Sequence, residues 1–395
     1  MLRRPMHRQV FLLAAAQALF QTASVMVMTV GGLAGGMIAS RPELATMPIA
    51  SMFLGTAAAT FPASAWMTRV GRRTGFVLGA LLGVAGGITA AAGIWIGSLL
   101  LLSLGTMLVG AYQAFAQFYR FAAGEVSDDA FKPRAISLVL AGGVVAALAG
   151  PMVGRFGAEL FNAEYAGSFL LLALVSLLGA VVLASLRVPA PAKEPGATVE
   201  GRRLFTIVSQ PAYLVALFGA ATGYGVMILA MTATPLAMVH HQHELSTTAM
   251  VIQLHVLGMF LPSFFTGSLI ARFGVLRVML TGVLLLAGHV IATLTGTGFG
   301  SFAGALVLLG VGWNFLYIGG TTLLTTTYTP LERGRAQATN DMTIFVVGLA
   351  CSFSAGALLQ VLGWQVLNLV LLPWLSVAAA SLLWLGYRHR QVEVA

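Results

Sequence analysis

The chain has 395 residues, 58% of them hydrophobic and only 8% charged, where a soluble globular domain carries roughly a quarter charged residues. That balance excludes a water-soluble enzyme, and the net charge of +9 must be read from where the 21 Lys and Arg fall. One cysteine, Cys351, excludes an internal disulfide and a cysteine-built zinc site.

A helix needs about 20 apolar residues to cross a bilayer. On that measure the apolar runs predict six spans near 9–29, 47–67, 75–95, 98–122, 135–156 and 165–187. Span 1 follows Arg3 and Arg4 but lacks a small-residue cleavage site, so it reads as a retained span and not a signal peptide. Its Gln17 and Gln21, four apart, share one face. The loop after span 2 reads Thr68-Arg69-Val70-Gly71-Arg72-Arg73, and span 4 carries Tyr112, Gln113, Gln117 and Arg120. Span 5 carries Ala146-x-x-x-Gly150-Pro151-x-x-Gly154, in which small residues let helices approach and Pro151 frees a carbonyl.

The longest break, 188–210, holds Pro189, Pro191, Lys193, Glu194, Pro195, Arg202 and Arg203 and suits a cytoplasmic linker between halves 1–187 and 211–395. Six more spans follow near 211–238, 246–271, 277–297, 300–326, 338–361 and 365–387. Span 7 carries Tyr224 between two glycines, span 8 Gln253 and His255, span 9 His289, and span 10 Trp313, Asn314 and Tyr317. His240, His241, His243 and Glu244 form an external turn, read as solvated and not as a metal site. Asp341 opens span 11 after Asn340.

With both termini cytoplasmic, Arg41 and Arg155 are the only two of the 21 basic residues placed outside. The positive-inside rule demands that alternation, so the charge is topological and nucleic acid is excluded as a partner. The twelve acids fall at the ends of spans or in loops, with none at mid-membrane. The loops after spans 2 and 8 repeat at an offset of 203 (Arg69-Val-Gly71 and Arg272-Phe-Gly274), and those after spans 4 and 10 at 201 (Pro133-Arg134-Ala135 and Gly334-Arg335-Ala336). Two offsets near half the chain length predict duplicated halves.

The segment Ser64 to Arg73 resembles the signature of the major facilitator superfamily between spans 2 and 3, Gly-x-x-x-Asp-Arg-x-Gly-Arg-Arg/Lys, and the likeness extends over the whole chain. Arg69, Gly71, Arg72 and Arg73 fit it, while Ser64 stands at the glycine and Thr68 at the aspartate. Gly150-Pro151-x-x-Gly154 is similar to a motif associated with efflux members. The resemblance implies an all-α membrane protein of twelve helices in two pseudo-symmetric six-helix bundles, and spans 1, 4, 7 and 10 along a central solute path opened to each side in turn.

On that expectation Gln17, Gln21, Tyr112, Gln113, Gln117, Tyr224, Gln253, His255, Trp313, Asn314 and Tyr317 are the candidate solute-binding residues, and the alternative for each is hydrogen bonding between helices. The 201 offset pairs Gln113 with Asn314 as two facing amides. Arg69, Gly71, Arg72, Arg73, Gly150, Pro151, Gly154 and Asp341 are the gating candidates, with Asp341 expected to pair with Arg69 or Arg72 in place of the acid missing at Thr68.

The function expected is secondary transport of a small organic solute at the inner membrane, with no catalytic residue, cofactor or metal. A neutral, zwitterionic or aromatic solute suits the Gln, Tyr and Trp lining. Export by proton antiport is favoured on span 5, with protons as candidate coupling ions. The alternatives are a uniporter or uptake symporter and, more remotely, an intramembrane enzyme or receptor. The partners expected are the solute and the bilayer, and the protein is expected to be a monomer.

Overall fold

The computed structural model describes residues 5–41, 44–45, 47–188 and 201–394. Arg3, Arg4, Glu43 and the linker residues from Pro189 to Glu200 lie outside them. Hydrocarbon offers the backbone no hydrogen-bond partner, so a chain this apolar must satisfy its amides within helices. The described residues form no strand. The helices are α1 (Pro5–Ile38), α2 (Met47–Val70), α3 (Arg72–Trp95), α4 (Leu99–Ala116), α5 (Tyr119–Glu125), α6 (Lys132–Ala141), α7 (Gly143–Ala158), α8 (Ala166–Ala184), α9 (Leu204–Val208), α10 (Pro211–His240), α11 (Leu245–Phe260), α12 (Ser263–Phe273), α13 (Val275–Leu294), α14 (Phe299–Leu324), α15 (Arg333–Leu369) and α16 (Leu371–Val394).

Ten stretches among the described residues are long and apolar enough to cross a membrane. Nine correspond to one predicted span each, α4 with α5, α6 with α7 and α11 with α12 each making one. The tenth, Arg333–Arg388, holds spans 11 and 12, divided where Gly363 takes a φ of 69°. Span 2 is α2, whose apolar run is diluted by threonines, serines and Pro62.

The chain forms two compact units. One comprises Met1–Asp128, Leu138–Thr198 and Gln337–Thr339, the other Asp129–Ser137, Val199–Ala336 and Asn340–Ala395, so the division leaves the expected linker at two short stretches. In the first unit α4 packs on α2 and α3, and α8 on α1 and α3, around a core of residues such as Met26, Met52, Val109 and Phe169. In the second unit α14 is the hub, packed by α10, α11 and α13. The described end of the linker is tied within this unit, where the Arg202 guanidinium and backbone N–H both donate to Glu332.

Each unit repeats the other's packing. In the first, α2 crosses α4 with Gly55 against the Met107 carbonyl and Gly110 against the Met52 carbonyl, while Gly79 of α3 admits the Phe115 side chain. In the second, α11 crosses α14 with Gly258 against the Val307 carbonyl and Gly310 against the His255 carbonyl, while Gly282 of α13 admits Phe315. Gly258, His255 and Gly282 stand 203 residues after Gly55, Met52 and Gly79. Val307, Gly310 and Phe315 stand 200 after Met107, Gly110 and Phe115. The turns opening α3 and α13 also match, Gly71 at φ 88°, ψ 161° and Gly274 at φ 87°, ψ 151°. A Cβ at either would meet nothing within 4 Å, so the left-handed backbone, not crowding, is what calls for glycine there.

This packing corrects the expected pairing of Gln113 with Asn314. Within α4 and α14 the offset is 200, so Gln113 corresponds to Trp313, Gln117 to Tyr317, and Asn314 to Ala114. The offset of 201 came from loops beyond these helices, so the extra residue enters after the membrane-spanning part. A slip of one residue turns a helix position by about 100°, which moves Asn314 to a different face.

A candidate solute-binding site in the second unit

Trp313 and Tyr317 are one turn apart on α14, and their rings stack at 4.9 Å with an interplanar angle of 16°. Phe260, the last residue of α11, meets Trp313 edge-on at 5.8 Å. Tyr224 of α10 lies 6.4 Å from Tyr317 and takes Phe345 of α15 edge-on at 5.9 Å. Five rings from four helices thus form one continuous array. Trp313 and Tyr317 are each 4% exposed, and Tyr224 and Phe345 are half-buried. Gly348 of α15 packs against the Tyr224 ring, and Gly223 of α10 against Leu316.

The Trp313 indole Nε1 is buried and has no hydrogen-bond partner among the described residues. Trp374 of α16 differs, because its Nε1–H donates to the Thr222 hydroxyl at 2.9 Å. Two histidines hold α14 upstream of Trp313: His255 of α11 bonds the Leu306 carbonyl through Nδ1 at 2.8 Å, and His289 of α13 the Ala305 carbonyl through Nδ1 at 2.9 Å. His289 Nε2 also bonds Asn368 Oδ1 at 2.9 Å. Both are fully buried and clamp successive carbonyls of the helix that carries the rings.

Other predicted residues serve packing. Asn314, fully buried, donates to the Met259 carbonyl and Ser263 Oγ, both at 2.6 Å, and accepts from Thr266 Oγ1 at 2.7 Å. It joins α14 to the α11–α12 break where Pro262 interrupts the backbone ladder, and its amide is fully used. Gln253 is exposed, two residues from His255. Since His255 faces α14, Gln253 points away from it, about 200° around the helix.

In the first unit Tyr112 is fully buried between Gly83 of α3 and Gly179 of α8, with Phe20 of α1 edge-on at 5.2 Å. Packing uses its ring. Gln17 is buried and Gln21 half-buried on α1. Gln113 is 8% exposed, and its Oε1 has no partner among the described residues. Gln117 accepts from Arg120 Nη1 at 2.9 Å, and the Arg120 guanidinium lies 4.6 Å from the Phe121 ring.

The gating expectation needs correction at Arg72. Buried on α3, it donates to Glu125 of α5 from Nη2 at 2.7 Å and from Nε at 3.3 Å, to Gln337 Oε1 from Nη2 at 2.6 Å, and sits 5.2 Å over Phe118. Its acid is therefore Glu125 of the same unit and not Asp341. Arg69 and Arg73 are exposed. Asp341, 1% exposed, accepts from Asn340 Nδ2 at 2.9 Å. Gly150 and Gly154 of α7 bring it against Val25 and Val30 of α1, and Pro151 is half-buried.

Sequence reasoning missed Phe260, Phe345, Glu125 and Gln337. Glu125 had a signal, an acid at the end of an apolar span. The two phenylalanines had none, because lone aromatics recur along every span. The two cavities of note lie elsewhere in the second unit. One of about 630 Å³ is lined by His240, His241, Gln360, Trp364 and Gln365 among others, and one of about 620 Å³ by Arg277, Leu323 and Tyr387 among others. No group of three or more His, Cys, Asp or Glu among the described residues could hold a metal ion.

The sequence profile of the Major Facilitator Superfamily matches residues 10–260 and 215–394. The chain belongs to this superfamily. It is 42% identical over 378 residues to the riboflavin transporter RfnT of Brucella anthropi, covering 95% of each chain. It is 30% identical over 372 residues to the uncharacterized MFS-type transporter YddS of Bacillus subtilis, covering 87% of this chain and 85% of that one. Among solved structures, the E. coli fucose:proton symporter FucP superposes with a TM-score of 0.76 at 14% identity over 96% of this chain and 99% of that one, a likeness of fold. The superfamily fold accounts for the repeated glycine crossings, and the chain is a multi-pass membrane transporter.

Proposed function

We propose that the chain carries a planar heteroaromatic solute, riboflavin or a close flavin analogue, across the bacterial inner membrane by alternating access, with both termini cytoplasmic. The observation that carries the reading is the five-ring array centred on the Trp313–Tyr317 stack. Flat heteroaromatic rings gain most from offset or edge-on contact with other aromatics, about 0.5–1.5 kcal/mol per pair beyond area burial. A neutral tricyclic ring fits a row of aromatic side chains better than a sugar or a polyanion does. The relative named as a riboflavin transporter supports the same class. Tyr224, Trp313 and Tyr317 are the solute contacts on this reading, and Tyr112, Gln253, His255 and Asn314 leave the list.

Export by proton antiport is the second reading, supported by the Gly150-Pro151-x-x-Gly154 segment. Facilitated movement or uptake stands ahead of it, because those glycines are occupied in packing α7 on α1.

Purified protein in liposomes preloaded with riboflavin is expected to show saturable counterflow of labelled riboflavin, reduced by Tyr317→Leu. Counterflow no faster than in protein-free liposomes would overturn the proposal. Repeating it with an imposed pH gradient reads the direction: accumulation from the acid side means symport, expulsion toward the acid side antiport, and indifference facilitated movement.

A further inference from the structure

We infer that Trp313 is a specificity-determining residue whose indole N–H donates a hydrogen bond to an in-plane acceptor on the carried ring. The inference rests on the transport reading above and names the atom that selects the solute. A buried donor without an acceptor is rare in folded proteins and calls for a physical reason. Trp313 is 4% exposed and its Nε1 lacks a partner among the described residues. The Trp374 indole, packed in the same unit, has its hydroxyl partner, so the fold can satisfy an indole N–H when the residue is only structural.

Three further observations point to a ligand. The ring is held in one orientation, stacked on Tyr317 at 16° and met edge-on by Phe260. The helix that bears it is pinned two turns upstream by His255 and His289. The repeat-equivalent position of the first unit, Gln113, likewise carries a buried polar atom without a partner, its Oε1.

The N–H of an indole lies in the ring plane, so its acceptor must lie beside the Trp313 ring and not over its face. The acceptor on a flat solute is a ring carbonyl or an imine nitrogen, whose lone pairs also lie in plane. Solute ring and indole then lie edge to edge, parallel to Tyr317. The class selected is a neutral planar heteroaromatic bearing a ring carbonyl or imine, to which the flavin ring belongs. A planar hydrocarbon of the same size would leave the donor unpaired, and sites built around a hydrogen bond reject such analogues strongly.

The test replaces Trp313 with 3-benzothienylalanine, which keeps the fused-ring shape and stacking but has no N–H, and also makes Trp313→Phe. Riboflavin binding to the full-length protein is read by quenching of flavin fluorescence, and transport by counterflow. The benzothienyl variant is expected to raise Kd and KM about five- to tenfold with Vmax little changed, as loss of one hydrogen bond implies. Trp313→Phe is expected to lose more, since stacking area goes as well. A benzothienyl variant that binds riboflavin as the parent does, while Tyr317→Leu weakens it, would overturn the donor role and leave the array reading standing. A parent protein that binds no flavin would overturn both.

Discussion

Replacing Glu125 by Gln is expected to expose how far the first unit depends on one buried ion pair. The Arg72 guanidinium is 4% exposed and bonded twice to the Glu125 carboxylate, once to Gln337 and stacked on Phe118. Glutamine keeps the shape of the acceptor but removes its charge, so the cation stays buried with an amide and a ring as its company. Breaking a fully buried pair from one side costs about 3–5 kcal/mol, because the remaining charge is uncompensated. The Glu125 side chain is 16% exposed, and water reaching it screens part of the loss, which sets the expectation at about 2–3 kcal/mol. Removing both charges, as in Arg72→Met with Glu125→Met, leaves neither charge of the pair uncompensated, takes one donor from Gln337 Oε1, and is expected to recover much of the difference. Denaturant titration of the purified protein in detergent, read by tryptophan fluorescence, measures both variants against the parent. A Glu125→Gln protein as stable as the parent, or a double variant no better than the single one, would refute the reasoning.

Other perturbations separate solute contacts from packing. Asn314→Ala removes three interhelical bonds and is expected to lower stability by about 2–3 kcal/mol at roughly 0.6–1 kcal/mol each, with KM in counterflow unchanged, whereas Tyr317→Leu is expected to raise KM. At Gly310 a Cβ would fall 2.6 Å from the His255 carbonyl oxygen, so Gly310→Ala is expected to cost about 1–3 kcal/mol. At Gly304 a Cβ would meet nothing within 4 Å, so Gly304→Ala on the same helix is expected to gain about 0.5–1 kcal/mol; thermal melts compare the two. Hydrogen bonds from Arg202 hold the Glu332 carboxyl down at about 2 against an ordinary 4.5, helped by the backbone N–H of Thr329 and Arg202 and opposed by burial. A depressed acid stabilises the fold fully above pH 4.5, and that contribution is lost as pH falls from about 4.5 toward 2. Arg202 is 42% exposed, so screening reduces it to about 1–2 kcal/mol. Glu332→Gln is expected to melt lower at neutral pH and to converge with the parent at the acid end of that window, and parallel pH profiles would contradict the assignment.

The spans, their order and the two related halves were legible because hydrocarbon imposes a length and forbids unpaired backbone, and both demands are written in runs of residue type. Gly71 and Gly274 were legible as a repeat because a positive φ leaves glycine as the low-strain choice. Side-chain roles were less so. Asn314 and Gln113 are both amides on spans expected to line the path, yet one is spent on the carbonyl and hydroxyl left open near Pro262 and the other keeps an unbonded oxygen. That difference depends on which neighbouring helix has a broken ladder, and composition does not carry it. Thr68, standing where the family has an aspartate, pointed toward Asp341 as a substitute acid, but Arg72 had a nearer one at Glu125, two helices on in the same unit. Proximity in the folded unit outranked the family pattern.

The one-residue slip between the two offsets has a physical meaning of its own. Duplicated halves are held in register where helices cross through glycine notches, because a misaligned residue there drives a Cβ into a carbonyl. Gly110 and Gly310 are such notches and tolerate no drift, whereas loops beyond the helices absorb an insertion at little cost. Register inferred from loop motifs is therefore the weaker guide, and register inferred from crossing glycines the stronger. Counted from the glycines, Gln113 and Gln117 of one unit correspond to Trp313 and Tyr317 of the other. Two positions one turn apart are thus an amide pair in the first unit and an aromatic stack in the second. A solute recognised by that stack must offer a flat face, and this separates a flavin-like ring from a sugar.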